Sequence, residues 1–155
     1  MRGGGAKSVR VEGAQVALIV APYYREVTEA LLAGAQAALA AGGAQTRVFE
    51  VGGALEIPLA IAAIEEGRVT PAFDGYIGLG CVVRGETYHF EIVCTESARG
   101  LMELGLRGRF AVANGVLTVN DMEQALERAD PARLNKGGEA AHACLSLIAL
   151  KRARP

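Results

Sequence analysis

Residues 16–20 read VALIV, and after Ala21-Pro22-Tyr23-Tyr24 the chain continues as REVTEALLAGAQAALAA over 25–41 before Gly42 and Gly43. A continuous apolar run with β-branched residues marks a strand covered on both faces. Behind it, positions 28, 31, 32, 35, 38 and 39 keep the spacing of an amphipathic helix, which the paired glycines stop. A buried strand followed at once by a helix of this length predicts a parallel sheet built through crossover connections.

The alternation continues along the chain. Thr46–Val51 reads as a second strand, and Pro58 opens a helix with Leu59, Ala62 and Ala63 on one face before Gly67. Phe73–Leu79 reads as a third strand. Thr87 then caps a helix whose stripe is Phe90, Val93, Cys94, Ser97, Ala98, Leu101 and Met102. Phe110–Leu117 is a fourth strand, Asn120 with Glu123 reads as a capping box for a helix through Ala129, and Ala140–Leu150 forms a last helix. The fold class is therefore α/β, a doubly wound parallel sheet between helical layers.

Composition narrows the class of function. A length of 155 residues fits one domain, which at this size buries roughly 70% of the surface its unfolded chain exposes. Sixteen basic against seventeen acidic side chains give a net charge of −1, so nothing draws the chain to nucleic acid or to anionic membrane. The longest uncharged stretch, Ala30–Thr46, is short of the roughly 20 apolar residues that span a bilayer, and Met1–Ser8 lacks the apolar run of a secretory signal. Cys81, Cys94 and Cys144 are odd in number and widely spaced, which argues against a disulfide framework or a zinc site and for a reduced, cytoplasmic location. Only 5% of residues are aromatic against 51% hydrophobic, so Ala, Val, Leu and Ile fill the core.

In doubly wound sheets ligands bind outside the carboxyl ends of the strands. Those ends carry Ala21-Pro22-Tyr23-Tyr24, Gly52-Gly53-Ala54-Leu55-Glu56, the run from Gly80 to His89, and Asn114-Gly115. Gly85, Glu86 and Thr87 lead straight into a helix N-terminus, where free amides and the helix dipole favour an anion. His89 in the first turn of that helix is placed to exchange protons with whatever the anion belongs to. Each has a plainer reading. A single histidine after a strand is more often structural than catalytic, Arg84 reads as a surface cation, Tyr23 as packing and Glu56 as a dipole partner. His142 falls to packing or an oligomer contact, and Arg128 and Lys136 are routine near a helix C-terminus and a loop. The segment APYYRE occupies the turn after the first strand, which argues against a phosphate-binding GxxxxGK[ST] loop and a GxGxxG turn there.

On these residues the sequence resembles the 6,7-dimethyl-8-ribityllumazine synthase family. GALEIP (53–58), LGCVVRGETYHFEIV (79–93), NGVLT (114–118), EQALERA (123–129) and NKGGEAA (135–141) carry the resemblance, which runs from about Val16 to Arg152. It implies a flavodoxin-like three-layer sandwich with a four-stranded parallel sheet and a single domain over 1–155. Residues 1–12 would form an arm whose strand near Val9–Val11 joins a neighbour's sheet. It also implies condensation of 5-amino-6-(D-ribitylamino)uracil with 3,4-dihydroxy-2-butanone 4-phosphate, losing phosphate and two waters, with no metal or redox cofactor.

By resemblance, Tyr23 stacks on the pyrimidine, Ala54, Leu55 and Glu56 bind the ribityl chain and ring, and Cys81, Val82 and Val83 line the pyrimidine. Glu86 and Thr87 hold the phosphate, His89 is the general acid and base, and Asn114 touches the ring. Arg128 binds phosphate and Lys136 sits at the site's edge, both in a site on the adjacent subunit. Pro22, Gly52 and Asn114 depart from the family's commoner residues. A homo-oligomer is implied, and Pro131 in the turn 130–135 favours a pentamer or a pair of pentamers over a sixty-subunit shell. Helices such as 29–41 and 87–102 would then bury small apolar side chains between subunits. Two other readings of the same fold are a shell or scaffold protein and a lumazine or flavin binder with little turnover.

Overall fold

A computed structural model describes residues 9–153. Four strands, β1 (Gln15–Val20), β2 (Gln45–Glu50), β3 (Gly75–Val83) and β4 (Ala111–Val119), form one parallel sheet in the order β2-β1-β3-β4. The helices are α1 (Arg25–Ala41), α2 (Glu56–Glu66), α3 (His89–Arg107), α4 (Met122–Ala129) and α5 (Lys136–Arg152). The expected doubly wound α/β class is the observed one.

Alternation along the strands sorts the core into two layers. Val16, Leu18, Ile77, Leu79 and Ala113 meet α1, α4 and α5 on one face, while Ala17, Ile19 and Tyr76 meet α2 and α3 on the other. Glycine brings the second layer close: a β-carbon on Gly78 of β3 would lie 2.9 Å from Ile57. On the first face α1 and α5 approach to backbone contact at Gly137, and Asn135, at φ 48°, turns the chain into α5 while its side chain accepts from Gly138 N. Asn is among the residues that tolerate this left-handed conformation through local hydrogen bonding.

Several boundaries differ from the sequence reading. Helix α2 starts at Glu56, two residues before Pro58, and buries Ile57, Pro58 and Ile61. Leu59 is 67% exposed, so the face read from Leu59, Ala62 and Ala63 is the outer one. Thr87 does not cap α3; Tyr88 holds that position without a side-chain capping bond, and only Val93, Ser97 and Leu101 of the stripe are buried. At α4 the cap is Asp121, whose Oδ1 accepts from Gln124 N at 2.9 Å while Gln124 Oε1 accepts from Asn120 N at 2.8 Å. The reciprocal capping logic is right and its register is one residue later. Helix α5 begins four residues before Ala140, because Asn135 provides the cap and Gly137 and Gly138 are helical.

Val9–Val11 form no strand within this chain; Val11 N donates to Gly42 O at 2.8 Å. The rest of the expected arm, residues 1–8, lies outside the described residues. Among the described residues no helix is long and apolar enough to cross a membrane.

Candidate active site

The chain runs from β1 out to β2 and then back across β1 to β3, so the strand order reverses between β1 and β3. That switch point is where an open α/β sheet offers a crevice. A cavity of about 540 Å³ opens there, walled by Tyr23 and Tyr24 after β1, Gly52–Glu56 after β2, Cys81–Val83 at the end of β3, and Thr87, His89 and Phe90 around the start of α3. Its volume suits a small ligand.

Each wall has a local cause. Tyr23 stands 76% exposed at the rim and meets Tyr24 edge-to-face at 4.9 Å between ring centres. Burial, and then the neighbouring Tyr23, push the Tyr24 phenol up. Glu56 N donates to Gly53 O and Ile57 N to Ala54 O, so the turn after β2 becomes the first turn of α2 with Glu56 exposed beside the opening. Cys81 is buried, and that burial raises its thiol to about 11, keeping it neutral in the physiological range. Cys81, Val82 and Val83 belong to β3 itself rather than to a loop, because the strand extends four residues past Leu79. His89 is the first residue of α3 and is exposed on the cavity side.

The structure thus gathers Tyr23, Ala54, Leu55, Glu56, Cys81, Val82, Val83, Thr87 and His89. It does not gather the others. Glu86 is exposed on the loop outside the cavity wall. Asn114 lies in mid-strand opposite Gly78, not at the carboxyl end of β4, and its Oδ1 accepts from Val116 N at 2.9 Å. Arg128, in the last turn of α4, donates to Gln124 O at 3.2 Å. Lys136 is the first residue of α5, not part of an open loop, and pairs with Glu139 at 2.9 Å. Tyr24 and Phe90 are walls that the motif reading passed over; their places beside Tyr23 and His89 were the available signal.

Arg84 is more than a surface cation. It donates from Nε to Asn120 Oδ1 at 3.0 Å and from Nη1 to Glu91 Oε1 at 2.5 Å, and its guanidinium lies 4.4 Å from the centre of the Phe90 ring. A second, larger groove of about 660 Å³ runs between α2 and α3, but it offers apolar side chains and the mutually paired ions Glu96, Arg99, Glu103 and Arg107. Among the described residues no group of three or more His, Cys, Asp or Glu side chains is placed to hold a metal.

The family model for 6,7-dimethyl-8-ribityllumazine synthase matches residues 13–152, nearly the whole chain. The chain belongs to the 6,7-dimethyl-8-ribityllumazine synthase family. The lumazine synthase of Methylorubrum populi is 52% identical over 143 residues, covering 91% of this chain and 85% of its own length. That of Xanthobacter autotrophicus is 49% identical over 152 residues, covering 97% and 92%. That of Erythrobacter litoralis is 52% identical over 139 residues, covering 89% and 96%. The residues matched by the family model span all five motifs quoted above, so the strand ends that build the cavity lie inside the matched region.

Proposed function

We propose that the chain is a transferase that condenses 5-amino-6-(D-ribitylamino)uracil with 3,4-dihydroxy-2-butanone 4-phosphate to give 6,7-dimethyl-8-ribityllumazine, phosphate and two waters, a step of riboflavin biosynthesis. Full-length identity near 50% to lumazine synthases carries this reading, and the cavity supports it.

The pyrimidine lies against Tyr23, with Cys81–Val83 beneath it and Ala54, Leu55 and Glu56 holding the ribityl chain. The phosphate-bearing substrate faces Thr87 and His89, with Glu86 on the adjoining loop. No hydroxyl caps α3, so its first amides stay directed at an anion, and the dipole adds to their pull. Imine formation, phosphate loss and ring closure each move a proton, and His89 serves as acid and base for them. Holding the departing phosphate by fixed donors contributes roughly 2–4 kcal/mol, by analogy with other oxyanion sites. Placing two substrates side by side supplies much of the remainder.

Arg128 and Lys136 lie off their own chain's cavity, and we read them as serving a neighbouring subunit's site. We read the assembly as a homo-oligomer, a pentamer or higher. Leu59 at 67%, Met102 at 65% and Leu106 at 79% exposure on α2 and α3 support it, since covering such side chains between subunits is favourable. The chain then acts in the cytoplasm, with small molecules as its other partners.

Purified protein mixed with both substrates should generate the absorbing, fluorescent lumazine at a rate proportional to protein. Retention of substrate with no lumazine formed would overturn the reading in favour of a binder or scaffold.

A further inference from the structure

Gly85, Glu86, Thr87 and Tyr88 are four consecutive exposed residues, and a β-carbon built on Gly85 would meet nothing within 4 Å. This loop has little packing of its own. Yet it must present Thr87 and His89 to the cavity in one arrangement.

Arg84, the residue before it, supplies a brace. Its backbone N–H donates to Val119 O at 2.9 Å and fixes the end of β3 to the end of β4. Its side chain turns back over the loop, donating to Glu91 at 2.5 Å and covering the Phe90 ring at 4.4 Å. Phe90 and Glu91 directly follow His89. The loop is therefore closed from the residue that precedes it to the helical turn that succeeds it. Nε, on another edge of the same guanidinium, reaches Asn120 Oδ1 at 3.0 Å. From there Asn120 N donates to Gln124 Oε1 at 2.8 Å, and Gln124 O accepts from Arg128 at 3.2 Å. One planar side chain joins the His89 turn to the helix that carries Arg128. The same hydrogen bond from Arg84 holds the Glu91 carboxyl below the usual carboxylate range.

We propose that Arg84 is a positioning residue for the phosphate-bearing substrate: it fixes the Gly85–Thr87 loop and the first turn of α3 in the geometry that binds that substrate. This rests on the function proposed above. A lone half-exposed ion pair would contribute little. The effect comes from three different contacts made by one rigid fork, a geometry that the point charge of lysine does not reproduce.

Arg84→Ala and Arg84→Lys, assayed with each substrate varied in turn, test the proposal. Expected is a rise of about tenfold or more in KM for the butanone phosphate in both variants, with KM for the pyrimidine within about twofold of the unmodified protein. A role in folding alone would instead lower kcat through loss of active protein and leave both KM values unchanged, which overturns the proposal, as does full restoration by lysine. Calorimetric titration with inorganic phosphate separates the proposal from the function beneath it. Should the unmodified protein make no lumazine, the function fails, and phosphate binding decides alone. Weakening of about tenfold in Arg84→Ala supports the brace, and equal or undetectable binding in both proteins overturns it.

Discussion

A β-carbon on Gly137 would fall 2.0 Å from the carbonyl oxygen of Leu31, so the backbones of α1 and α5 touch where any side chain would stand between them. No rotamer relieves an overlap with backbone. Gly137→Ala must therefore push the helices apart, at a cost of about 3 kcal/mol. For a chain of this size that lowers Tm by roughly 6–12 °C. Urea and thermal denaturation measure it, and an unchanged midpoint would refute the close approach. Because Lys136 immediately precedes Gly137, activity should fall further than the loss of folded protein explains.

His89→Gln keeps a polar side chain of similar reach and removes proton transfer. Lumazine formation should slow by about 10² or more, with substrate binding and helical content retained. Full activity in that variant would remove His89 from the chemistry.

Tyr23 is largely exposed and rests on Tyr24, so its removal should hardly touch the fold. Tyr23→Ala is expected to alter stability by no more than about 0.5 kcal/mol. Loss of a stacking surface worth about 0.5–1.5 kcal/mol should raise KM for the pyrimidine roughly two- to twelvefold. A larger effect on the butanone phosphate than on the pyrimidine would contradict the placement of the two substrates.

Alkaline stability follows from the buried thiols. Burial raises Cys81 from 9.0 to about 11 and Cys144 from 9.0 to about 12. Between those values the unfolded chain releases protons that the folded chain retains, so stability is intact below pH 9 and falls as pH rises from 9 towards 11–12. Burial first, then the hydrogen bond to Glu65, raises the Tyr76 phenol as well, in the same direction. The urea midpoint should therefore drop between pH 8.5 and pH 10.5, and the drop should shrink in a Cys81→Ala, Cys144→Ala double variant. A flat profile would show that the thiols are not desolvated as described.

How far the sequence could be read depended on how local each signal is. The first strand and α1 were legible to the residue at α1, because a continuous apolar run and a Gly-Gly stop are complete within the segment. The face of α2 was not. Every position from Ile57 to Ile64 is apolar, so spacing alone does not choose the face of Ile57 and Ile61 over that of Leu59, Ala62 and Ala63. The nine cavity residues gathered from strand ends were legible because the switch-point rule is set by topology. Arg128 and Lys136 entered only as motif members, since no contact within one chain brings them to the cavity, and Asn114, read at a strand end, lies in mid-strand because β4 runs on to Val119. Arg84 was misread because its exposure says nothing of how many elements it touches.

The bonded run from Glu91 through Arg84, Asn120 and Gln124 to Arg128 makes positions 84 and 128 mutually dependent in a way their separation along the chain conceals. Sites joined through shared partners do not contribute independently. A substitution harmless at either end can be harmful when combined with one at the other.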